Sequence, residues 1–197
     1  MYIPKPFKVV DAQITHAFIQ SNPFATLTST IENKIVATHL PIDCLQDSKY
    51  YGHFARNNPQ ANISPNEEVC VIFSGPHAYI SPNMYVSDFN VPTWNYSAVH
   101  CYGNIKFIED EAIIWQLFQE IVVRHEGEAG WQLPNEKNYK DMLKFIRLFE
   151  FEIKSIEAKF KWSQNKDKED ILSAINKLKD SGLHDAAACM AEANHLS

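Results

Sequence analysis

The residues best equipped for chemistry lie in one stretch, 75–102, which reads GPHAYISPNMYVSDFNVPTWNYSAVHCY. His77, His100, Trp94 and four tyrosines fall within it, interleaved with prolines and asparagines. Aromatic faces beside hydrogen-bonding edges suit a pocket for a flat ligand with a polar rim. They equally suit a subunit interface, where Tyr and Trp bury area yet keep a polar handle. Residue type alone leaves both readings open.

A second group is Gly52-His53-Phe54-Ala55-Arg56-Asn57-Asn58-Pro59. A guanidinium fork with nearby hydroxyl and backbone donors can hold a phosphate without a glycine-rich loop. The ordinary alternative is a strand-to-loop exit with a solvated Arg56 and an Asn-Pro turn. Upstream stand Thr26, Thr28, Thr38 and His39. Threonine is common in strands for steric reasons, so the threonines alone say little. His39-Leu40-Pro41 says more, because Pro41 lacks an N–H and interrupts a ladder. A third group, Lys159 to Lys166 (KFKWSQNK), alternates basic and aromatic residues. It could touch phosphate or bases. The plainer reading is an amphipathic strand end leading into a helix, with Lys161 and Gln164 kept as ligand candidates.

Other chemistries find no support. His39, His53, His77 and His100 are scattered, with no HExxH and no Cys/His knuckle, so no metal site is expected. Ser81 precedes Pro82, and no GxSxG elbow exists. Walker A and GxGxxG loops are absent from the sequence. No catalytic acid, base or nucleophile is identified. A net charge of −6 argues against an electrostatic grip on nucleic acid.

The elements that must position these residues follow from periodicity. Asp11 is a plausible N-cap for a helix carrying Ala12, Ile14, Ala17 and Phe18, ended by Asn22-Pro23. Phe24 to Thr30 and Lys34 to Ile42 read as a hairpin turning at Glu32-Asn33. Gln46-Asp47-Ser48 is a turn before a strand from Lys49 to Ala55. Glu68 to Phe73 is apolar enough for burial on both faces, and Tyr96 to Ile108 is a long strand. Helical spacing holds over Asp110 to His125, and a loop with Trp131 spans Gly127 to Asn135. Tyr139 to Arg147 is a short helix, and Leu148 to Ile156 returns to a strand. Helices resume at Asp167 and break at Ser181-Gly182. Strands first and helices late predict an antiparallel, barrel-like β core with peripheral helices.

At 197 residues and 45% hydrophobic, the chain suits one soluble domain with a real core. The N-terminus lacks a signal-peptide h-region, and no apolar run is long enough to span a membrane. Cys44, Cys70, Cys101 and Cys189 form no CxxC pair and read as reduced thiols, Cys70 and Cys101 within strands. The expected compartment is the cytoplasm.

MYIPKPF, PFATLTS, ATHLPI, GHFARNNPQ, VIFSGPHAYISP, VPTWNYSAVHCYG and KFKWSQNK follow one another across the chain. Together they resemble the PaiB-type proteins, an FMN-binding family described as negative transcriptional regulators. The resemblance implies a mainly β (α+β) fold, an antiparallel split β-barrel of the pyridoxamine-phosphate-oxidase type with peripheral helices. Residues 1–166 would form the FMN-binding split barrel and 167–197 a C-terminal helical appendage packed on it. It also implies a homodimer with FMN at the interface. Ring-side residues would be Thr38, His39, Leu40 and Pro41. Phosphate-side residues would be His53, Ala55, Arg56 and Asn57, with Thr26 or Thr28 behind them. Trp94, Asn95 and Tyr96 would approach from the partner subunit. Trp162 stands where a smaller aliphatic residue is expected, a change of packing more than of chemistry.

The implied function is a cytosolic, FMN-binding homodimeric regulator. Direct DNA binding is disfavoured, since no helix-turn-helix is legible and the chain is acidic. The alternative is an FMN-dependent oxidoreductase or flavin reductase, with His77, Tyr79, Trp94 and His100 bordering a substrate space. A third reading is a decayed site, or one holding another group such as haem. Residues 75–102 then serve both as dimer contact and as ring-side cover.

Overall fold

The structure, a computed structural model, describes residues 1–45 and 48–196. The expected turn at Gln46-Asp47-Ser48 therefore lies, apart from Ser48, outside the described residues. Among the described residues the strands are β1 (Lys8–Val9), β2 (Phe24–Ile31), β3 (Lys34–Cys44), β4 (Tyr50–Ala55), β5 (Val69–Ile80), β6 (Thr93–Phe107) and β7 (Ile146–Lys161). The helices are α1 (Ala12–Ser21), α2 (Glu111–Glu126), α3 (Lys137–Met142), α4 (Lys168–Asp180) and α5 (His184–Ala193). Strand order is β1-β7-β4-β3-β2-β5-β6, and β7 also pairs with β6, so the sheet closes on itself. This is the antiparallel barrel-like core that the strand-rich pattern predicts.

Local chemistry sets the ends of these elements. Asp11 Oδ1 accepts from Gln13 N at 2.7 Å and Ile14 N at 3.3 Å, capping α1. Asp110 does the same for α2 through Ala112 N and Ile113 N. Glu32 and Asn33 adopt φ of 49° and 61°, the two left-handed residues of a tight primed turn, and the hairpin pairs in register from Phe24↔Pro41 to Ile31↔Lys34.

Three expectations need correction. Glu68 to Phe73 is not buried on both faces: Val69, Val71 and Phe73 are buried, whereas Cys70 and Ile72 are half-exposed. The strand also continues through Pro76 to Ile80. The helix expected over Tyr139 to Arg147 stops at Met142, followed by a 3-10 turn and then β7. Ladder pairing of Ile146 with Ala55 and Arg147 with Phe54 outweighs the local helical spacing there.

The chain divides into two compact units, with β5, β6 and β7 each running from one into the other. One unit comprises Gln20–Phe73 and Cys101–Ile156. Its inner packing includes Phe54 on Phe149, with ring centroids 4.9 Å apart. Leu45, Tyr51, Leu117 and Leu148 form a second cluster with Phe118 and Ile121 of α2. Adjacent Leu148 and Phe149 are both fully buried because α2 covers one face of β7 and Phe54 lies on the other. Gly103 marks a close backbone approach: a Cβ there would sit 2.0 Å from the Glu152 carbonyl oxygen.

The other unit comprises Met1–Ile19, Ser74–His100 and Glu157–Ser197. Its core gathers Ala78, Ile80, Tyr85 and Trp162 with Ile171, Ile175 and Leu178 of α4 and Ala187 and Met190 of α5. The C-terminal helices thus build this core instead of sitting on a finished one. Trp162 is 1% exposed and donates from Nε1 to Ser97 Oγ at 2.7 Å, so the unexpected tryptophan brings a polar bond as well as volume.

Candidate functional site

In the unit containing β2, β3 and β4, period-two alternation sorts the predicted residues. The pairs Thr26↔His39, Leu27↔Thr38 and Ala25↔Leu40 put Thr26, Thr28, His39 and Pro41 on one face of the hairpin, and Thr38 and Leu40 on the other. The first face is open. His39 Nδ1 lies 2.8 Å from Thr26 Oγ1, and the exposed Phe24 ring stacks on the imidazole at 6.3 Å. Thr28 Oγ1 donates to the Cys70 carbonyl. The second face points into packing: Leu40 is buried, so only its backbone can meet a ligand.

Thr38 belongs to a network that sequence reasoning missed. It donates to Gln60 Oε1 and accepts from Asn58 Nδ2 at 2.9 Å. Gln60 is fully buried and donates from Nε2 to Ser29 Oγ at 2.9 Å and the Val36 carbonyl at 3.2 Å. Asn58 also caps the 3-10 turn Pro59–Asn62 by accepting from Gln60 N. Asn58-Pro59-Gln60 was inside a quoted motif, and an Asn-Pro pair is a turn signal, but a buried glutamine has no signature in sequence.

Arg56 is exposed yet held. Its backbone N–H donates to the Phe145 carbonyl, its Nε to the Lys144 carbonyl at 2.8 Å and its Nη2 to the Ile146 carbonyl at 3.1 Å. Nη1 has no partner among the described residues. The guanidinium is thereby oriented, with one edge left for an anion. Ala55 and Asn57 flank it and are exposed. His53 fits a phosphate less well: its ring packs on Phe118 at 5.3 Å, and burial lowers its pKa, partly offset by Asp43.

In the other unit, Trp94 is 55% exposed and forms a cluster with His77 and Tyr79, each ring 6.0 Å away. Lys161 Nζ donates to Thr93 Oγ1 and to the Trp94 carbonyl, which fixes the backbone under that indole. Tyr96 is half-buried, 5.1 Å from Lys159 Nζ. Asn95 points inward and is fully buried. Its Nδ2 donates to Ser163 Oγ at 2.9 Å, Ser163 also bonds Tyr85 Oη, and Asn95 Oδ1 has no partner among the described residues. Gln164 closes its own turn, accepting from Trp162 N and donating to the Phe160 carbonyl. Both ends of its amide are occupied. Ser97, and Lys159 and Ser163 of the Lys159–Lys166 stretch, are further buried polar residues of this unit. Two clefts of about 580 and 690 Å³ beside α2 contain none of the predicted residues.

FMN is a flat heteroaromatic ring on a phosphorylated tail. It asks for a cation at the phosphate, hydroxyl and backbone donors, and aromatic cover. The residues present fit that demand. Arg56 offers an oriented cationic edge, and Thr26, Thr28 and His39 offer polar groups on an open strand face. Trp94 and Tyr96 offer aromatic surface.

Comparison with known proteins points to the same cofactor. Residues 1–155 match the family described as “Putative FMN-binding domain”. The chain is 38% identical over 187 residues to the protease synthase and sporulation protein PAI 2 of Bacillus subtilis strain 168, covering 91% of this chain and 90% of that one. In fold it is similar to the flavocytochrome Anf3 of Azotobacter vinelandii, with a TM-score of 0.66 at 15% identity over 84% of this chain and 75% of that one. It is also similar to the FAD and heme binding protein of Mycobacterium smegmatis, with a TM-score of 0.63 at 13% identity over 84% and 79%. The chain therefore belongs to the PaiB-type, FMN-binding family, and its fold is that family's antiparallel split β-barrel with peripheral helices.

Proposed function

We propose that the protein is a homodimeric FMN-binding regulator that acts through its flavin, not through a DNA-reading helix of its own. The observation that carries the flavin reading is Arg56, whose fork is fixed by the Lys144 and Ile146 carbonyls while Nη1 stays open. In this reading Arg56, Ala55 and Asn57 take the phosphate. Thr26, Thr28, His39 and the Leu40-Pro41 backbone meet the ring and ribityl chain, with Thr38 held behind them by Gln60. Trp94 and Tyr96 of a second copy cover the ring. Exposed Phe24, Ile35, Val91 and Trp94 support a dimer, because side chains of this size gain from burial. When bound, FMN would supply reversible electron transfer, and the protein residues would orient it and limit its contact with water.

Direct DNA binding has little to support it. α4 and α5 are the helix pair nearest to a helix-turn-helix among the described residues. α5, HDAAACMAEA, has no Lys or Arg and carries Asp185 and Glu192. A recognition helix needs cationic and amide side chains facing the groove. Repression through a flavin-dependent partner or a small molecule fits this surface better. The exposed His77–Tyr79–Trp94 cluster favours a second reading, an FMN-dependent oxidoreductase whose substrate stacks there.

Sedimentation of FMN-reconstituted protein tests the dimer, and anaerobic NADH or NADPH addition separates the two functions. A monomer at micromolar concentration that holds FMN tightly would defeat the interface reading. Rapid flavin bleaching by either nucleotide would favour the enzyme. Sequence-specific DNA binding by the purified dimer would overturn the indirect mode.

A further inference from the structure

We propose that Lys159 and Lys161 form an oxyanion site that takes the phosphate or carboxylate group of a second ligand used beside the flavin. This rests on the reading of Trp94 and Tyr96 as cover for the flavin ring. Alternation along β7 puts Glu157, Lys159 and Lys161 on one face. Lys159 is only 8% exposed. Its Nζ donates to the Tyr2 carbonyl at 3.3 Å and lies 5.1 Å and 5.9 Å from the Tyr96 and Tyr2 ring centres. No carboxylate pairs with it among the described residues. Glu157, on the same face, pairs with the Met1 amine. Among the described residues Lys161 likewise donates to neutral oxygens, those of Thr93 and Trp94.

Two ammonium groups thus share a partly desolvated face, and neither forms an ion pair among the described residues. Burial, and then the Lys159 charge, hold the Lys161 pKa below its ordinary value. A desolvated cation is costly unless it is paired. Elsewhere two partly buried guanidinium groups are paired, Arg124 with Asp43 at 3.2 Å and Arg147 with Glu109 at 2.7 Å, whereas half-buried Lys166 meets the Asn90 amide oxygen. With a net charge of −6 the chain has carboxylates available, yet none among the described residues pairs with either lysine. An incoming oxyanion paired with Lys159 would also offset the charge that Lys161 feels from it. Compact ammonium donors suit phosphate and carboxylate oxygens. The Tyr96 and Tyr2 rings add cover for an organic group attached to the anion.

The test is calorimetric titration of inorganic phosphate into FMN-saturated protein at fixed ionic strength, with FMN affinity measured separately by flavin fluorescence. The expected result is one saturable phosphate site, weakened at least tenfold in Lys159→Met, with FMN affinity unchanged within twofold. No saturable binding in the wild type, or equal binding in Lys159→Met, would sink the site and leave the flavin reading standing. Parallel loss of FMN and phosphate would make Lys159 part of the cofactor grip and also overturn it. Failure of the wild type to bind FMN would remove the flavin reading, and with it the second-ligand role. Should Lys159→Met not fold, ¹³Cε-lysine spectra of the wild type decide. Phosphate should shift the Lys159 signal, identified by its loss in Lys159→Arg, and an unmoved signal rejects the site.

Discussion

In the unit made of Gln20–Phe73 and Cys101–Ile156, the three arginines are all tied to the protein. Arg124 reaches Asp43 and the Gln20 carbonyl. Arg147 reaches Glu109 and the Ala61 carbonyl, with its guanidinium 3.8 Å from the Phe107 ring centre. Arg56 is anchored by two carbonyls and keeps one free edge. In the other unit, Lys159 and Lys161 meet neutral oxygens and tyrosine rings, the buried Asp170 carboxylate accepts from Val86 N, Ser87 N and Ser87 Oγ, and hydroxyl, amide and indole groups bond one another in Tyr85–Ser163–Asn95 and Trp162–Ser97. The contrast separates scaffold from recognition. A cation whose partners are all internal holds strands together. A cation left with an open edge or without counter-charge is where an anionic ligand gains most.

The largest effect that would sharpen this contrast concerns the hydroxyl-rich unit. Trp162→Ala should destabilise the protein by about 3–5 kcal/mol, the range for deleting a fully buried large side chain. Urea unfolding measures it, and a loss under about 1 kcal/mol would mean that the core described around Trp162 is loose. Next is Gln60→Leu, which leaves Ser29, Thr38 and the Val36 carbonyl short of a partner. It should cost about 1–3 kcal/mol, read by the same unfolding curves.

A matched pair of variants could break the contrast outright. Arg147→Met should destabilise by about 1–3 kcal/mol through lost charged hydrogen bonds. Lys159→Met, without added oxyanion, should change stability by less than about 1 kcal/mol or raise it, since an uncompensated buried charge is replaced by an apolar chain. Equal destabilisation by both would show that Lys159 is scaffold after all. The smallest effect concerns pH. Burial holds the His53 pKa below its ordinary value of 6.5. The unfolded chain therefore takes up a proton at a pH where the folded one does not. Stability should fall as pH drops below 6.5 toward the folded-state value. His53→Gln should flatten that slope in pH-dependent melts, and an unaltered slope would assign it to other groups.

The fold was legible where alternation and turn chemistry agree, as in the β2–β3 hairpin with Glu32-Asn33 at its tip. It was misread where tertiary pairing competes with local spacing. Ile146 and Arg147 look helical in sequence but pair with β4. The candidate site was partly legible. Ordered motif blocks pointed to the hairpin, to Arg56 and to Trp94. They could not say which face of the hairpin each residue takes, and only pairing register separates Thr26 and His39 from Thr38 and Leu40. Nor could they show how Gln60, Ser163 and Lys159, which lie inside those blocks, are buried and which distant partners they meet. Gln164, chosen for its amide, proves to have both ends engaged in its own turn.

The central claim, that an oriented Arg56 edge grips the FMN phosphate, is tested most directly by comparing FMN with riboflavin in fluorescence titrations of the wild type and Arg56→Ala. The wild type should prefer FMN by about 1.5–3 kcal/mol, the value of a hydrogen bond to a charged group, and Arg56→Ala should lose most of that preference while binding riboflavin as before. Equal wild-type affinity for the two flavins, or a preference that survives in Arg56→Ala, would contradict the account.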